Sequence, residues 1–213
     1  MEDNGGDSNA ATGEDYTYFY FDVAEKKFPE ATDIFSQFFK EPLFNPESMD
    51  REMKAIDSEY QMHISDEPVA TDQLEKSDIA APGSIVNRFL IGNLQTLKVD
   101  GVYNQLKSYY KNNYSSNRMN LVLVGKQSLD ELQKLAEDNF KDVKNQNLTA
   151  QSYKNETVFT KEHSFGRIYK VIPNKELSQI SLKWQLPSSS KEWRQKSSDY
   201  LAQLFGNEGP NSL

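Results

Sequence analysis

The sequence predicts a mixed α/β or α+β domain, built from apolar strands and several amphipathic helices. The segment YTYFYFDV (16–23) is rich in aromatic residues, as in a strand that is buried on at least one face. In the segments that follow, apolar residues recur at every third or fourth position, as on one face of an amphipathic helix. The order strand, helices, strand, helix fits an α/β or α+β domain that ends near residue 145.

Two helices are predicted directly after the first strand. Pro42 closes the first helix, whose apolar positions have helical spacing. These positions are Phe28, Ala31, Ile34, Phe35 and Phe38. The second helix has Asn45 as its N-cap and Pro46 at its first position, and it extends to His63. Its apolar side consists of Met49, Met53, Ile56 and Tyr60.

The remainder of this first unit contains further helices and one strand. We expect a helix over 67–79, which AAPGS (80–84) breaks. An amphipathic helix is predicted from the spacing of Val102, Leu106, Tyr109 and Tyr110. MNLVLVG (119–125) predicts an apolar strand, and a capping box from Ser128 to Glu131 opens the last helix of the unit.

A polar stretch without periodicity predicts a linker over 146–160, so the two domains are expected at 1–145 and 161–213. In the second domain, RIYKVI (167–172) and ISLKWQL (180–186) predict strands and 191–205 predicts a helix. Two strands and one helix are too few to close a core. We therefore expect the chain to be truncated at both ends.

The composition excludes several classes of function. A formal net charge of -8 argues against nucleic acid or an anionic membrane surface as the partner, and a basic peptide suits it better. The chain has no cysteine, which excludes a cysteine-based zinc site or nucleophile and fits a reducing compartment. No segment approaches the length of a membrane span, and the N-terminus is acidic and polar. We therefore expect a cytoplasmic protein.

A polar stripe runs along the second predicted helix. Glu52, Glu59 and His63 share one helical face with Ile56, because spacings of four, seven and eleven residues return to nearly the same side of a helix. A solvated charged face is one explanation. The other is that Glu59 is a metal ligand and Glu52 supports it. Glu59 and His63 together supply only two ligands, whereas a zinc site needs at least three.

Five segments of the sequence carry a resemblance to a known family, in the family's order and over essentially the whole chain. They are SNAATGEDYTYFYFDV, FFKEPLFNPESMDREMKAIDSEYQ, LIGNLQTL, YYKNNYSSNRMNLVLVGKQSLDEL and GNEGPNSL. Together they resemble the insulysin-like inverted-zincin proteases, peptidase family M16. The resemblance implies a LuxS/MPP-like metallohydrolase fold, with helices packed on a mainly antiparallel sheet. By this comparison 1–145 is the remainder of a zinc-site domain and 161–213 is the start of a similar, incomplete domain.

The resemblance also implies a zinc site. In that family zinc is held by the two histidines of an H-x-x-E-H motif and a distant glutamate, and the glutamate inside the motif is the general base. Glu59 matches the distant zinc ligand, Glu52 matches the carboxylate that supports it, and His63 is not a ligand. H-x-x-E-H does not occur in this sequence, in which the histidines are His63 and His163. We therefore expect the isolated chain to be inactive, with the motif upstream of Met1.

The small polar segment SNAATG (8–13) precedes the aromatic strand. By resemblance it matches the edge strand on which family members align substrate by β-addition, which makes Asn9, Ala10, Ala11 and Thr12 the candidate substrate-binding residues. Composition alone favours an ordinary loop that leads into a strand. His163 is expected on the surface. GNEGPNSL (206–213) predicts a turn and is assigned no chemical role.

Taken with the resemblance, these features predict part of a zinc-dependent metalloendopeptidase that cuts extended peptides. Its cofactor in the complete enzyme would be Zn²⁺, of which this chain holds one ligand. The expected partners are peptide substrates, the remaining domains of the full-length protease and a second copy in a homo-oligomer, but neither nucleic acid nor a membrane. The alternative is a non-catalytic peptide-binding or interaction module.

Overall fold

The computed structural model describes residues 2–13, 15–88, 91–153, 156–173 and 175–209. By their internal contacts the residues form two compact units, Met1–Asn174 and Lys175–Leu213. The last four residues of GNEGPNSL (206–213) lie outside the described part of the chain. The domain bounds predicted from the sequence stay a prediction.

The first unit begins with an antiparallel hairpin of β1 (Asp7–Thr12) and β2 (Thr17–Asp22). The register pairs Asp7 with Asp22 at one end and Thr12 with Thr17 at the other. The strand predicted from the aromatic run is thereby confirmed as β2. β1 pairs with β2 along one side, and among the described residues no strand pairs with its other side. β1 is therefore an edge strand within the described structure.

The two faces of β2 have different surroundings, because successive side chains of a strand point to opposite sides. Phe19 and Phe21 face α1 (Phe28–Lys40), where their rings contact Phe39 and Phe35 at centroid distances of 5.5 and 4.9 Å. Tyr16, Tyr18 and Tyr20 lie on the opposite face. One face of the hairpin thus contacts the aromatic rings of α1, but Phe21 is the one residue of β2 that is not exposed, so the predicted burial of one face is not found.

Helix α1 packs on α6 (Leu129–Phe140), with the rings of Phe39 and Phe140 6.4 Å apart. Two fully buried hydroxyl groups of α1 bond to carbonyl oxygens of their own helix. Thr32 Oγ1 donates to Phe28 O at 2.7 Å, and Ser36 Oγ donates to Asp33 O at 2.7 Å. These bonds satisfy polar groups that would otherwise be costly to bury.

Four further α-helices lie in the described part of the first unit, of which all but α4 were predicted from the sequence. They are α2 (Pro46–His63), α3 (Glu67–Leu74), α4 (Leu94–Leu97) and α5 (Val102–Asn113). The predicted helix over 67–79 is present as α3 followed by a π-helical turn, Glu75–Ile79. The predicted capping box of α6 is present, since Ser128 Oγ accepts from Glu131 N while Glu131 Oε2 accepts from Ser128 N.

Three predicted strands are absent from the described structure, which corrects the sequence-based prediction. The segments 119–125, 167–172 and 180–186 are not strands, because no other described segment supplies a partner for their backbone hydrogen bonds. Their apolar side chains are correspondingly exposed. The most exposed are Val122, Val124, Ile168, Ile172, Ile180, Leu182 and Trp184.

The second unit contains one α-helix among its described residues, α7 (Ser197–Phe205). The predicted helix over 191–205 was therefore too long at its start. A short 3-10 turn, Ser190–Glu192, precedes α7, and Lys196 between them has a left-handed backbone with φ 51°. That conformation is unfavourable for a residue with a Cβ and interrupts the helix.

His163, expected on the surface, is in contact with another segment of the chain. It is half-buried, and its Nε2 lies 2.9 Å from Asp78 O, in the π-helical turn. Ser164 Oγ donates to Ile79 O at 2.6 Å, and Ala81 N donates to Val158 O at 2.7 Å. The segment around His163 is therefore bonded to the end of the α3 region. No described helix is both long and apolar enough to cross a bilayer.

Candidate functional site

The acidic stripe lies on α2, whose start is fixed by local capping. Asn45 Oδ1 accepts hydrogen bonds from Glu47 N at 2.9 Å and Ser48 N at 3.3 Å, and Pro46 occupies the first turn. These interactions satisfy amide groups that have no partner inside the helix. The helix continues without a break to His63.

The structure brings Glu59 and His63 together at the C-terminal end of α2. Glu59 Oε1 lies 3.8 Å from His63 Nε2, and the two side chains are 54% and 31% exposed. Glu52 is also exposed, two turns earlier on the same helix. All three polar groups are thus accessible from solvent on one helix.

The acidic stripe supplies too few donors for a zinc site. A catalytic zinc site takes three protein ligands and leaves one position open. Within the described residues no group of three or more His, Asp or Glu side chains is close enough to hold a metal ion. Glu59 and His63 give at most two donors, so the described residues do not by themselves form a zinc site.

Asp57 of α2 makes a long-range contact that the sequence did not reveal. Its Oδ1 accepts a hydrogen bond from Leu94 N at 2.8 Å, so the carboxylate caps the first residue of α4 and links it to α2. Beside this bond is a cavity of about 140 Å³. It is lined by Asp50, Met53, Lys54, Leu94 and Lys98. No local sequence signal marks a bond between residues so far apart in the chain.

The predicted substrate-binding residues Asn9, Ala10, Ala11 and Thr12 lie on β1, which is exposed along its whole length. Gly13 N donates to Tyr16 O at 2.8 Å across the hairpin turn. Because facing residues of an antiparallel ladder alternate between bonded and non-bonded pairs, Asn9 and Ala11 face β2 with their backbone groups. The backbone groups of Ser8, Ala10 and Thr12 therefore point to the free edge.

Two of these outward N–H groups are bonded to a neighbouring side chain. Ser8 N donates to Asp7 Oδ1 at 2.8 Å, and Ala10 N donates to Asn9 Oδ1 at 2.8 Å. Asp7 N instead bonds toward β2, to Asp22 Oδ1 at 3.2 Å, as the alternation requires. The sequence alone does not identify these two contacts, although Asx residues that bond to nearby backbone are a recognised local pattern.

The exposed face of the hairpin carries a ladder of three tyrosines, for which the sequence predicted a strand but no role. The rings of Tyr16 and Tyr18 are stacked at a centroid distance of 6.1 Å, and those of Tyr18 and Tyr20 at 5.9 Å. The register places Tyr18 opposite Ala11 and Tyr20 opposite Asn9. The side chains of Asn9 and Ala11 therefore share a face with the tyrosine ladder.

Comparison with family models gives two matches. Residues 102–213 match the model described as the peptidase M16 inactive domain, and residues 1–81 match the model described as insulinase, peptidase family M16. The first match spans more than half of the chain. The segments that carry the acidic stripe and the β1–β2 hairpin lie within the second.

Among curated proteins, nardilysin of Homo sapiens is 33% identical over the whole chain, and insulin-degrading enzyme of Homo sapiens is also 33% identical over the whole chain. The chain spans 19% of the length of the first and 21% of the second. It thus corresponds to about a fifth of these relatives.

Among solved structures, pitrilysin superposes with a TM-score of 0.68 at 30% identity, over 74% of this chain and 17% of that one. The first half of the periplasmic protease PqqL from Escherichia coli superposes with a TM-score of 0.58 at 20% identity, over 70% of this chain and 32% of that one. The second likeness concerns the fold. Both agree with the mixed fold of helices and antiparallel sheet predicted from the sequence.

Proposed function

The chain belongs to peptidase family M16, the insulinase family, and we propose that it forms part of a zinc-dependent metalloendopeptidase that hydrolyses extended peptides. The observation that carries the proposal is the placement of Glu59 on an exposed face of α2, inside the segment matched by the insulinase model. An exposed carboxylate of this kind can coordinate a divalent cation.

We assign Glu59 as one zinc ligand and Glu52 as the carboxylate that supports its orientation. Zinc in such a site would polarise the scissile carbonyl and lower the pKa of bound water. His63 is assigned no ligand role. The 213 residues contain no H-x-x-E-H motif, and the described donors do not complete a site. The isolated chain is therefore proposed to lack peptidase activity.

We assign substrate binding to the free edge of β1, at Asn9, Ala10, Ala11 and Thr12. An extended peptide that adds to this edge would bond to the outward backbone groups of alternate residues, which gives affinity with little sequence specificity. The whole strand is exposed, as such addition requires. A basic peptide suits the chain's formal net charge of -8.

A non-catalytic peptide-binding module is the second candidate. The peptide-binding edge and the zinc donors of the proposed site differ in completeness. β1 is a complete edge strand, whereas the zinc donors are incomplete within the described residues, and this difference favours the binding module. The further domains, homo-oligomer and cytoplasmic location expected from the sequence remain predictions in either case.

The proposal is tested by zinc stoichiometry and peptidase activity in two polypeptides. One is the 213-residue chain, and the other is the same chain preceded by the H-x-x-E-H segment of a relative. After dialysis against zinc, we expect one bound zinc and cleavage of a quenched fluorescent peptide only in the second polypeptide. An extended polypeptide that folds yet retains no zinc would contradict the enzyme proposal and leave the binding module as the better one.

The mass of the native polypeptide separates the same two candidates in the source cells. An antibody raised against residues 100–140 would detect it. A mass several times 24.4 kDa supports the protease, and a mass near 24.4 kDa supports the binding module.

A further inference from the structure

The free edge of β1 is covered by its own side chains at alternate positions. The edge caps are the side-chain oxygens of Asp7 and Asn9, which accept from the outward N–H groups of Ser8 and Ala10, both at 2.8 Å. These two N–H groups are donors that a peptide strand would need when it adds to β1. The edge that the proposed function requires is therefore partly occupied by side chains.

We infer that the side chains of Asp7 and Asn9 must leave the β1 edge before a peptide strand adds to it, and that Asp7 is the specificity-determining residue of the two. This inference rests on the proposed function of β1 as a peptide-binding edge. The two caps have different chemistry, because the side chain of Asp7 is a carboxylate and that of Asn9 is an amide. Both caps restrict strand addition, and the Asp7 cap also selects the charge of the peptide.

The selection follows from what displacement does to the Asp7 side chain. While it caps Ser8 N, its charge is partly balanced by that donor. Once displaced, the carboxylate lies beside the side chain of the added strand, where a cation attracts it and a second carboxylate repels it. A peptide with lysine or arginine opposite Asp7 is therefore admitted more readily than one with an acidic residue.

The surrounding charge acts in the same direction. Seven carboxylates and no lysine or arginine occur in the first 25 residues. They are Glu2, Asp3, Asp7, Glu14, Asp15, Asp22 and Glu25. No lysine or arginine of this segment competes with the peptide for Asp7.

The third outward position differs from the first two. Thr12 follows Ala11, whose methyl side chain has no acceptor to cap the Thr12 N–H. The outward N–H of Thr12 therefore has no cap from the residue before it, unlike those of Ser8 and Ala10.

The first test is hydrogen exchange of individual amides in the full 213-residue chain, measured by NMR. Asp7→Ala should speed the exchange of Ser8, and Asn9→Ala that of Ala10, each about threefold. Asp7→Asn keeps an acceptor at the same position and should leave Ser8 nearly as slow as in the unchanged chain. Unaltered exchange in both alanine variants would show that the caps do not form in solution and would overturn the inference. This measurement needs no peptide and so does not depend on the proposed function.

The second test is the binding of three fluorescein-labelled peptides, which share a threonine and valine background and differ in one central residue, lysine, glutamine or glutamate. The unchanged chain should bind the lysine peptide about fivefold more tightly than the glutamate peptide. Asp7→Asn should reduce that ratio to about twofold or less, whereas Asn9→Ala should preserve it and tighten all three peptides about threefold. Asp15→Asn is the matched control, because it removes a charge from the hairpin turn without removing an edge cap.

The outcomes are separable. A ratio that Asp7→Asn leaves unchanged, or alanine variants that weaken the glutamine peptide, would overturn the inference. If the alanine variants exchange faster but no peptide binds, both the inference and the assignment of β1 as a peptide-binding edge are overturned. The zinc test of Glu59 is independent of that result.

Discussion

Glu59 Oε1 and His63 Nε2 lie 3.8 Å apart on consecutive turns of α2. At this distance the pair forms an ion pair only while the imidazole is protonated, and a cation that coordinates Glu59 would compete with it. Bound zinc and protonated His63 are both positively charged, so zinc on Glu59 would repel the imidazolium beside it. The contributions of the two residues can be separated by substitution.

Glu59→Gln should abolish zinc retention in a polypeptide that includes an upstream H-x-x-E-H segment, because an amide is a much poorer zinc ligand than a carboxylate. Glu52→Gln should weaken retention about tenfold or more through the orientation of Glu59. His63→Ala is the control and should retain zinc. Zinc content after dialysis measures all three, and full occupancy in Glu59→Gln would refute the ligand assignment.

Asp57→Ala should lower the free energy of unfolding by about 1 kcal/mol, because Leu94 N loses its acceptor at the start of α4. Asp57→Asn retains a side-chain oxygen and should cost less. Urea denaturation followed by circular dichroism gives both values. Equal stability of Asp57→Ala and the unchanged chain would mean that the bond between α2 and α4 makes no net contribution.

Tyr110 links α5 to the C-terminal end of α1, where its hydroxyl donates to Phe39 O at 2.9 Å. Burial raises the pKa of Tyr110, and the nearby Glu41 carboxylate raises it further. A phenol whose pKa is higher in the folded chain stabilises the fold below its unfolded pKa, near 10, and loses that contribution as pH rises through the folded value. We expect the free energy of unfolding to fall above about pH 10, and less steeply in Tyr110→Phe. Parallel denaturation curves at pH 8 and above about pH 10 test this, and identical pH dependence would contradict it.

Ser128→Ala should remove the capping box of α6 and destabilise the chain by about 1 kcal/mol. The bonds from Ser128 lower the pKa of Glu131. A lowered carboxyl pKa gives stability that is present above the unfolded value, 4.5, and is lost as pH falls through the folded value. Ser128→Ala should therefore also reduce the loss of stability in acid, as thermal unfolding at pH 7 and below about pH 4 would show. An unchanged acid response would argue against the bond in solution.

The helices were predictable because their signals are local. Asn45 and Ser128 each cap a helix through residues two or three positions away, and the apolar spacing that follows fixes the buried face. The three strands were predicted wrongly for the opposite reason. A segment such as 119–125 has the composition of a strand, but it becomes one only when another segment supplies its hydrogen bonds.

The candidate site also combines local features, which the sequence predicts, with long-range contacts, which it does not. The common face of Glu52, Glu59 and His63 follows from helical spacing alone and could be predicted. The bond from Leu94 to Asp57 joins two distant parts of the chain and carries no sequence signature. The edge caps on β1 are local, yet the sequence reveals them only once it is known which N–H groups of the strand point outward.

The exposed apolar segments govern how the chain behaves at high concentration. Val122 and Val124 are 79% and 84% exposed in a run of alternating leucine and valine that contains no charge or proline. Such a run forms intermolecular sheets readily when nothing covers it. At neutral pH the net charge of -8 keeps molecules apart, but that repulsion vanishes near the pI of 4.9. The purified chain will therefore precipitate as fibrillar or amorphous aggregate in mildly acidic buffer, which sets the practical pH range for handling it.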